Sequence, residues 1–121
     1  MSYMVPDGKL YDLGVIKEIA HGNQDFVKKM IGLFMETMPP AVSEMKQHLS
    51  DKNWAALGAV AHKIKPSIDT MGIDLLKEDI RSIERFGKEG INLEEVPVLL
   101  NKVDTVLARI SEDLKVELGS M

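Results

Sequence analysis

Cysteine is absent from this chain of 121 residues. Its absence excludes a disulfide framework, a thiolate metal site and a cysteine nucleophile, and is compatible with a reducing cytosol. No apolar run approaches the roughly 18 residues that a membrane-spanning helix needs, and the N-terminus lacks a basic segment followed by an apolar one. We therefore expect a soluble, cytoplasmic protein that does not associate with membranes.

An excess of positive charge is also missing. The chain has 15 basic and 19 acidic residues, which gives a net charge of −4, and its lysines are scattered along the sequence. Nucleic-acid binding depends on a clustered basic surface. We expect no nucleic-acid partner.

Strand patterns are missing as well, because alternating β-branched residues occur nowhere, whereas apolar residues recur at helical spacing along most of the chain. The proline pair in the second predicted helix allows either a kink or a split, and the apolar face resumes in phase after it, which favours a kink. The predicted helices run from about Asp12 as N-cap to Ala20, from Asn23 through Pro39 and Pro40 to Leu49, from Asn53 to Met71, from Asp74 as N-cap to Phe86, and from Leu93 or Pro97 to Leu114.

Four substantial helices joined by short connections predict an antiparallel bundle. The expected fold is all-α, a four-helix bundle with an additional short N-terminal helix. We expect one domain over residues 1–121, with a loop at 1–10 and the bundle at about 23–118. No exposed apolar surface calls for a second copy, so we expect a monomer.

A histidine occupies the outer face of the third predicted helix. At about 100° per residue, His62 lies roughly 140° from the centre of the apolar stripe and points away from the core. Three small residues, Ala55, Gly58 and Ala59, are expected on the same side one or two turns earlier. A partner protein could approach such a cleared face closely, so we predict a docking surface around an accessible imidazole.

Three residues that follow His62 add to this prediction. Lys65 lies one turn later on the same side, where its ammonium suits a phosphoryl group. Pro66 removes the amide that would bond to the carbonyl of His62, which predicts a bend there. Asp69 is expected to hold Lys65 through a weak i, i+4 contact.

These residues resemble the signature of histidine phosphotransfer (HPt) domains. In "AHKIKPSIDTMGI", His62 matches the phosphorylated histidine, Lys65 the lysine that stabilises the phosphoryl group, and Met71 with Gly72 the closing pair. "SIERFG" places Glu84 where many members have glutamate and some have glutamine. The resemblance covers about residues 10–87 and departs from the family at Pro66, where glycine is usual.

The resemblance implies a phosphoryl carrier rather than an enzyme. His62 would accept a phosphoryl group from an aspartate of a response-regulator receiver domain and pass it to another receiver. The implied partners are such receivers and a hybrid histidine kinase. The chain itself would need no cofactor, since Mg²⁺ would be supplied by the receiver.

Two other functions lack residues that they would need. A histidine kinase would need a glycine-rich nucleotide-binding segment, which is missing. A di-iron site would need two Glu-x-x-His pairs, and only Glu18 with His21 has that spacing. The alternative left open is a helical interaction module that binds partners without carrying phosphate. Glu84 bears on that choice, since it could either hydrogen-bond His62 or face solvent beside Lys88.

Overall fold

Helices form all the regular structure in residues 3–121, the part of the chain that this computed structural model describes. Met1 and Ser2, which the predicted N-terminal loop includes, lie outside the described residues. The elements are α1 (Gly14–Ala20), α2 (Gln24–Ser50), α3 (Trp54–Thr70), α4 (Asp74–Glu89), a 3₁₀ turn (Leu93–Glu95) and α5 (Val96–Gly119).

The four long helices enclose one apolar core. Helix α3 packs against α2 and α4, helix α5 packs against the same two helices, and α1 lies on α2. Side chains from all four long helices are fully buried at the centre, among them Ile31, Leu57, Ile80 and Ile110. The predicted all-α bundle with a short N-terminal helix is confirmed. No helix in the described residues is long and apolar enough to cross a membrane.

Two of the long helices begin at a residue whose side chain caps them. The side chain of Asn23 accepts a hydrogen bond from the amide of Phe26, and that of Asn53 accepts one from Ala56, as capping residues do. Asp74 is instead the first residue of α4, which has no side-chain cap. Asp12 precedes α1 by two residues and accepts a bond from the amide of Gly14 at 2.8 Å.

Prolines lie inside two of the helices without ending them. Helix α2 continues through Pro39 and Pro40, so the split that the sequence left open is wrong. The apolar face stays in register on both sides, with Phe34, Met38 and Val42 all buried. Tertiary packing along this face offsets the lost backbone hydrogen bonds. Helix α3 likewise continues through Pro66.

The N-terminal segment is fastened across the bundle at two points. The amide of Asp12 donates to the carbonyl of Met71 at 2.9 Å, and the hydroxyl of Tyr11 donates to Glu117 of α5 at 3.1 Å. Gly72 makes the first contact possible, because its φ is +63° and an added Cβ would lie 2.7 Å from the Cβ of Asp12. Any other residue there would be strained and would push the segment away.

Candidate functional site

His62 lies on the outer side of α3, as the helical period predicts. Its neighbours Ala61 and Ile64 are buried in the core, whereas 60% of the imidazole side chain is exposed. The ring is nevertheless held in place, because Nδ1 lies 2.7 Å from Oε2 of Glu84 on α4. The exposed imidazole therefore has a fixed orientation.

The Glu84 carboxylate is the centre of a cluster of polar side chains. Besides His62, it accepts a hydrogen bond from Lys65 on Oε1 and one from Lys88 on Oε2, each at 2.8 Å. Its side chain is only 13% exposed. The hydrogen bond from Lys65, followed by that from Lys88, lowers the pKa of Glu84 from 4.5 to about 2, and the smaller contribution of His62 acts in the same direction. Glu84 is therefore ionised at neutral pH.

An ionised carboxylate determines which imidazole nitrogen carries the proton. A carboxylate can only accept hydrogen bonds, so the nitrogen that faces it, Nδ1, must be the donor. In the neutral ring the other nitrogen, Nε2, then carries the free electron pair. The cluster thus presents the nucleophilic nitrogen of His62 on the side away from Glu84.

Two ammonium groups share this carboxylate, and the sequence analysis assigned a site role to only one of them. The side chain of Lys65 is 27% exposed and that of Lys88 is 51% exposed. The spacing of Lys88, four residues after Glu84 on α4, indicates that the two side chains meet on the helix surface, but it does not place them beside His62. Glu84 binds His62 and Lys88 together, and its side chain is largely buried, so the reading in which it faces solvent is wrong.

Asp69 has a different partner from the one expected. It lies opposite Arg81 of α4, whose Nη1 and Nη2 donate to its two oxygens at 3.2 and 2.8 Å. The predicted contact with Lys65 is wrong, because Lys65 is turned toward Glu84. A guanidinium fork binds both carboxylate oxygens at once, which one ammonium cannot do in that geometry. Arg81 also lowers the pKa of Asp69.

The small residues around His62 occupy two different environments. Ala55, Ala59 and Pro66 are exposed, as expected for a face open to a partner. The expected exposure of Gly58 is wrong, because it is buried against α4. An added Cβ at Gly58 would lie 3.0 Å from the carbonyl oxygen of Glu84.

An apolar groove of about 680 Å³ runs beside the histidine between α2 and α3. Lys63 and Pro66, which flank His62 on α3, form part of its wall, and Leu33 on α2 forms another part. Leu33 is 50% exposed. A partner that covers His62 from the α2 side would also cover this groove.

The two other histidines belong to different surroundings. His21 ends α1 in a left-handed conformation with φ +48°, and its side chain is exposed. His48 pairs with Glu44 at 3.3 Å within α2. Among residues 3–121, His, Asp and Glu side chains form no group of three that could hold a metal ion.

Comparisons with known proteins identify the family and the fold. A family model described as Hpt domain matches residues 29–113. Among solved structures, the chain is similar to histidine-containing phosphotransfer protein B (HptB) from Pseudomonas aeruginosa PAO1, with a TM-score of 0.84 and 19% identity over 95% of this chain and 99% of that one. No curated protein sequence matches. The structural similarity shows a shared fold, and the family model covers well over half of the sequence. The chain therefore belongs to the Hpt domain family of two-component signalling.

Proposed function

We propose that this chain is a cytoplasmic phosphoryl carrier of a phosphorelay. His62 accepts a phosphoryl group from the aspartate of one response-regulator receiver domain and passes it to another receiver, and a hybrid histidine kinase stands upstream. The observation that carries the proposal is the 2.7 Å contact between His62 and Glu84. It fixes an exposed imidazole with Nε2 free, which is what a nucleophile offered to another protein requires.

The transfer step needs no proton to move. The electron pair on Nε2 attacks phosphorus, the N–P bond forms, and the bond from phosphorus to the aspartyl oxygen breaks, which releases a carboxylate on the receiver. The ring keeps its proton on Nδ1 and becomes cationic. Glu84 faces that proton and stabilises the charge as it develops.

Lys65 and Lys88 supply the positive charge for the phosphoryl oxygens. Both ammonium groups rest on Glu84 in the unphosphorylated protein, and neither is held by a second carboxylate in the described residues. A phosphoryl group brings more negative charge and more acceptor oxygens than a single carboxylate. We expect at least Lys65 to turn toward it, while the partner receiver supplies Mg²⁺.

The docking face includes the groove beside His62 and the exposed apolar residues next to it. Val15 and Ile19 on α1 are 47% and 57% exposed, whereas Ile16 between them is buried in the core. A receiver domain must bring its aspartate to Nε2, so its surface necessarily covers the residues flanking His62. Burial of these apolar side chains would provide most of the binding free energy. The chain acts as a monomer in this proposal.

The experiment is a transfer assay with a phosphorylated receiver and Mg²⁺. The wild type is expected to take up the label in a form that is labile in acid and stable in base. His62→Gln should take up none, whereas His48→Gln and His21→Gln should match the wild type. Circular dichroism checks that each variant keeps its helices.

A second candidate function is favoured by the groove itself. An apolar groove can bind a partner without any chemistry at His62. If no receiver in a broad panel labels the folded wild type, while a receiver still binds to it and to His62→Gln equally well, the phosphate-independent interaction module replaces the carrier.

A further inference from the structure

Two glycines face each other where α3 and α4 come closest. An added Cβ at Gly87 of α4 would lie 2.6 Å from the carbonyl oxygen of Trp54 and 3.1 Å from both the Cα and the amide nitrogen of Gly58. An added Cβ at Gly58 would lie 3.0 Å from the carbonyl oxygen of Glu84 and 3.3 Å from the amide nitrogen of Lys88. The backbones of the two helices therefore touch without intervening side chains.

This contact lies one helical turn from the His62 cluster. Gly58 precedes His62 by four residues on α3, and Gly87 follows Glu84 by three residues on α4. Residues at these spacings lie on the same face of a helix. The backbone atoms that an added Cβ at Gly58 would meet belong to Glu84 and Lys88 themselves, two members of the cluster.

The His62 and Glu84 side chains meet across this short interhelical distance. For Gly87→Ala, the Cβ contact with Trp54 would have to lengthen by roughly 0.8 Å to reach the 3.4 Å at which ordinary contact begins. The bond from His62 to Glu84 measures 2.7 Å, and hydrogen bonds weaken beyond about 3.2 Å. A displacement of that size is enough to break the bond.

We propose that Gly58 and Gly87 are positioning residues for His62, because their contact sets the α3–α4 separation at which Glu84 can orient the imidazole. The consequence for phosphoryl transfer rests on the proposed function. The consequence for the ring itself does not, since it concerns only which nitrogen is protonated.

The test compares Gly87→Ala and Gly58→Ala with Gly32→Ala. Gly32 is a matched control, because it also lies within a helix and an added Cβ there meets nothing within 4 Å. Nitrogen NMR of the neutral imidazole reports whether the proton lies on Nδ1, and the transfer assay reports the rate. Thermal melts followed by circular dichroism report folding.

For Gly87→Ala we expect the His62 proton to shift toward Nε2, the form that predominates for an unpaired imidazole, with transfer slower by about tenfold or more. Gly58→Ala should show the same changes to a smaller extent, because its contacts are less severe. It serves as the test if Gly87→Ala does not fold. Gly32→Ala should leave both quantities unchanged.

Double variants that combine Glu84→Ala with Gly58→Ala or Gly87→Ala distinguish the positioning role from a merely structural one. Without the carboxylate, the glycine substitutions have nothing to act through and should change neither the proton position nor the rate further. Wild-type NMR signals and rates in folded Gly58→Ala and Gly87→Ala would overturn the positioning role. If the wild type accepts no phosphoryl group, the proposed function fails, and the NMR comparison still decides the role of the glycines.

Discussion

Two carboxylates bridge α3 and α4, and they differ in how their partners are arranged. Asp69 is bound by one residue, because the guanidinium fork of Arg81 occupies both of its oxygens. Glu84 is shared by three residues, each through a single hydrogen bond. Both have a lowered pKa. The lowered pKa therefore does not distinguish the two carboxylates, whereas the three separate donors and the exposed imidazole beside Glu84 do.

Exposure separates the two bridges in the same way. The side chains of Asp69 and Arg81 are 37% and 42% exposed, so water screens their interaction. Glu84 is 13% exposed, and its charge acts on His62 with much less screening. The Asp69 bridge fastens two helices, and the Glu84 bridge also fixes the orientation and the tautomer of the His62 ring.

The largest predicted effect is the difference in transfer rate between removing the charge of Glu84 and removing the charge of Asp69. Glu84→Gln keeps the size of the side chain but removes the charge that stabilises the cationic ring, so we expect transfer to slow by about tenfold to a hundredfold. Asp69→Asn should change the rate by less than about twofold. Single-turnover transfer from a phosphorylated receiver measures both. Equal losses in the two variants would show that the two bridges do not differ in function.

A smaller effect is expected from the two lysines. Lys65→Met should shift the partition of the phosphoryl group toward the receiver by about fivefold, and Lys88→Met by about twofold, because Lys88 is more exposed and better screened. Since either ammonium can turn to the phosphoryl group, the double variant should lose more than the two single losses combined. The measurement is the labelled fraction of each protein at equilibrium. Strictly independent losses would mean that the lysines do not replace each other.

The smallest predicted effect concerns stability in acid. The pKa of Glu84 is lowered in the folded chain to about 2 from 4.5, so its stabilising contribution is fully present above pH 4.5 and is lost as the pH falls toward 2. We expect the wild type to be more stable than Glu84→Gln by about 1 to 2 kcal/mol at pH 7, with the gap closing below about pH 2. Urea unfolding across this pH range measures it. A gap that is constant with pH would contradict the assigned ionisation of Glu84.

The sequence was sufficient for features that depend on one helix at a time. The helical period alone places the buried face of α3 and the outward direction of His62, because both follow from the angle between successive residues. The continuity of α2 through Pro39 and Pro40 also follows, since its apolar face stays in phase.

Features that depend on two helices were predicted less well. Asp69 pairs with Arg81 rather than with Lys65, and Gly58 is buried rather than exposed. Both outcomes depend on how α4 is rotated and how closely it approaches α3, and no spacing within α3 records this. The place of Lys88 in the cluster also depends on the packing of the two helices. Its i, i+4 spacing predicts the pairing with Glu84, but it does not predict that His62 lies opposite.

The composition of the Glu84 cluster has a consequence for how partners meet and part. In the resting protein two ammonium groups face one carboxylate, so this patch is positive on a chain whose net charge is −4. In the proposed cycle each transfer adds one negative charge to the patch and makes it neutral. The unphosphorylated form should then be steered to acidic receiver pockets faster than the phosphorylated form, most clearly at low ionic strength. Salt dependence of the association rate would thus distinguish the loaded carrier from the empty one.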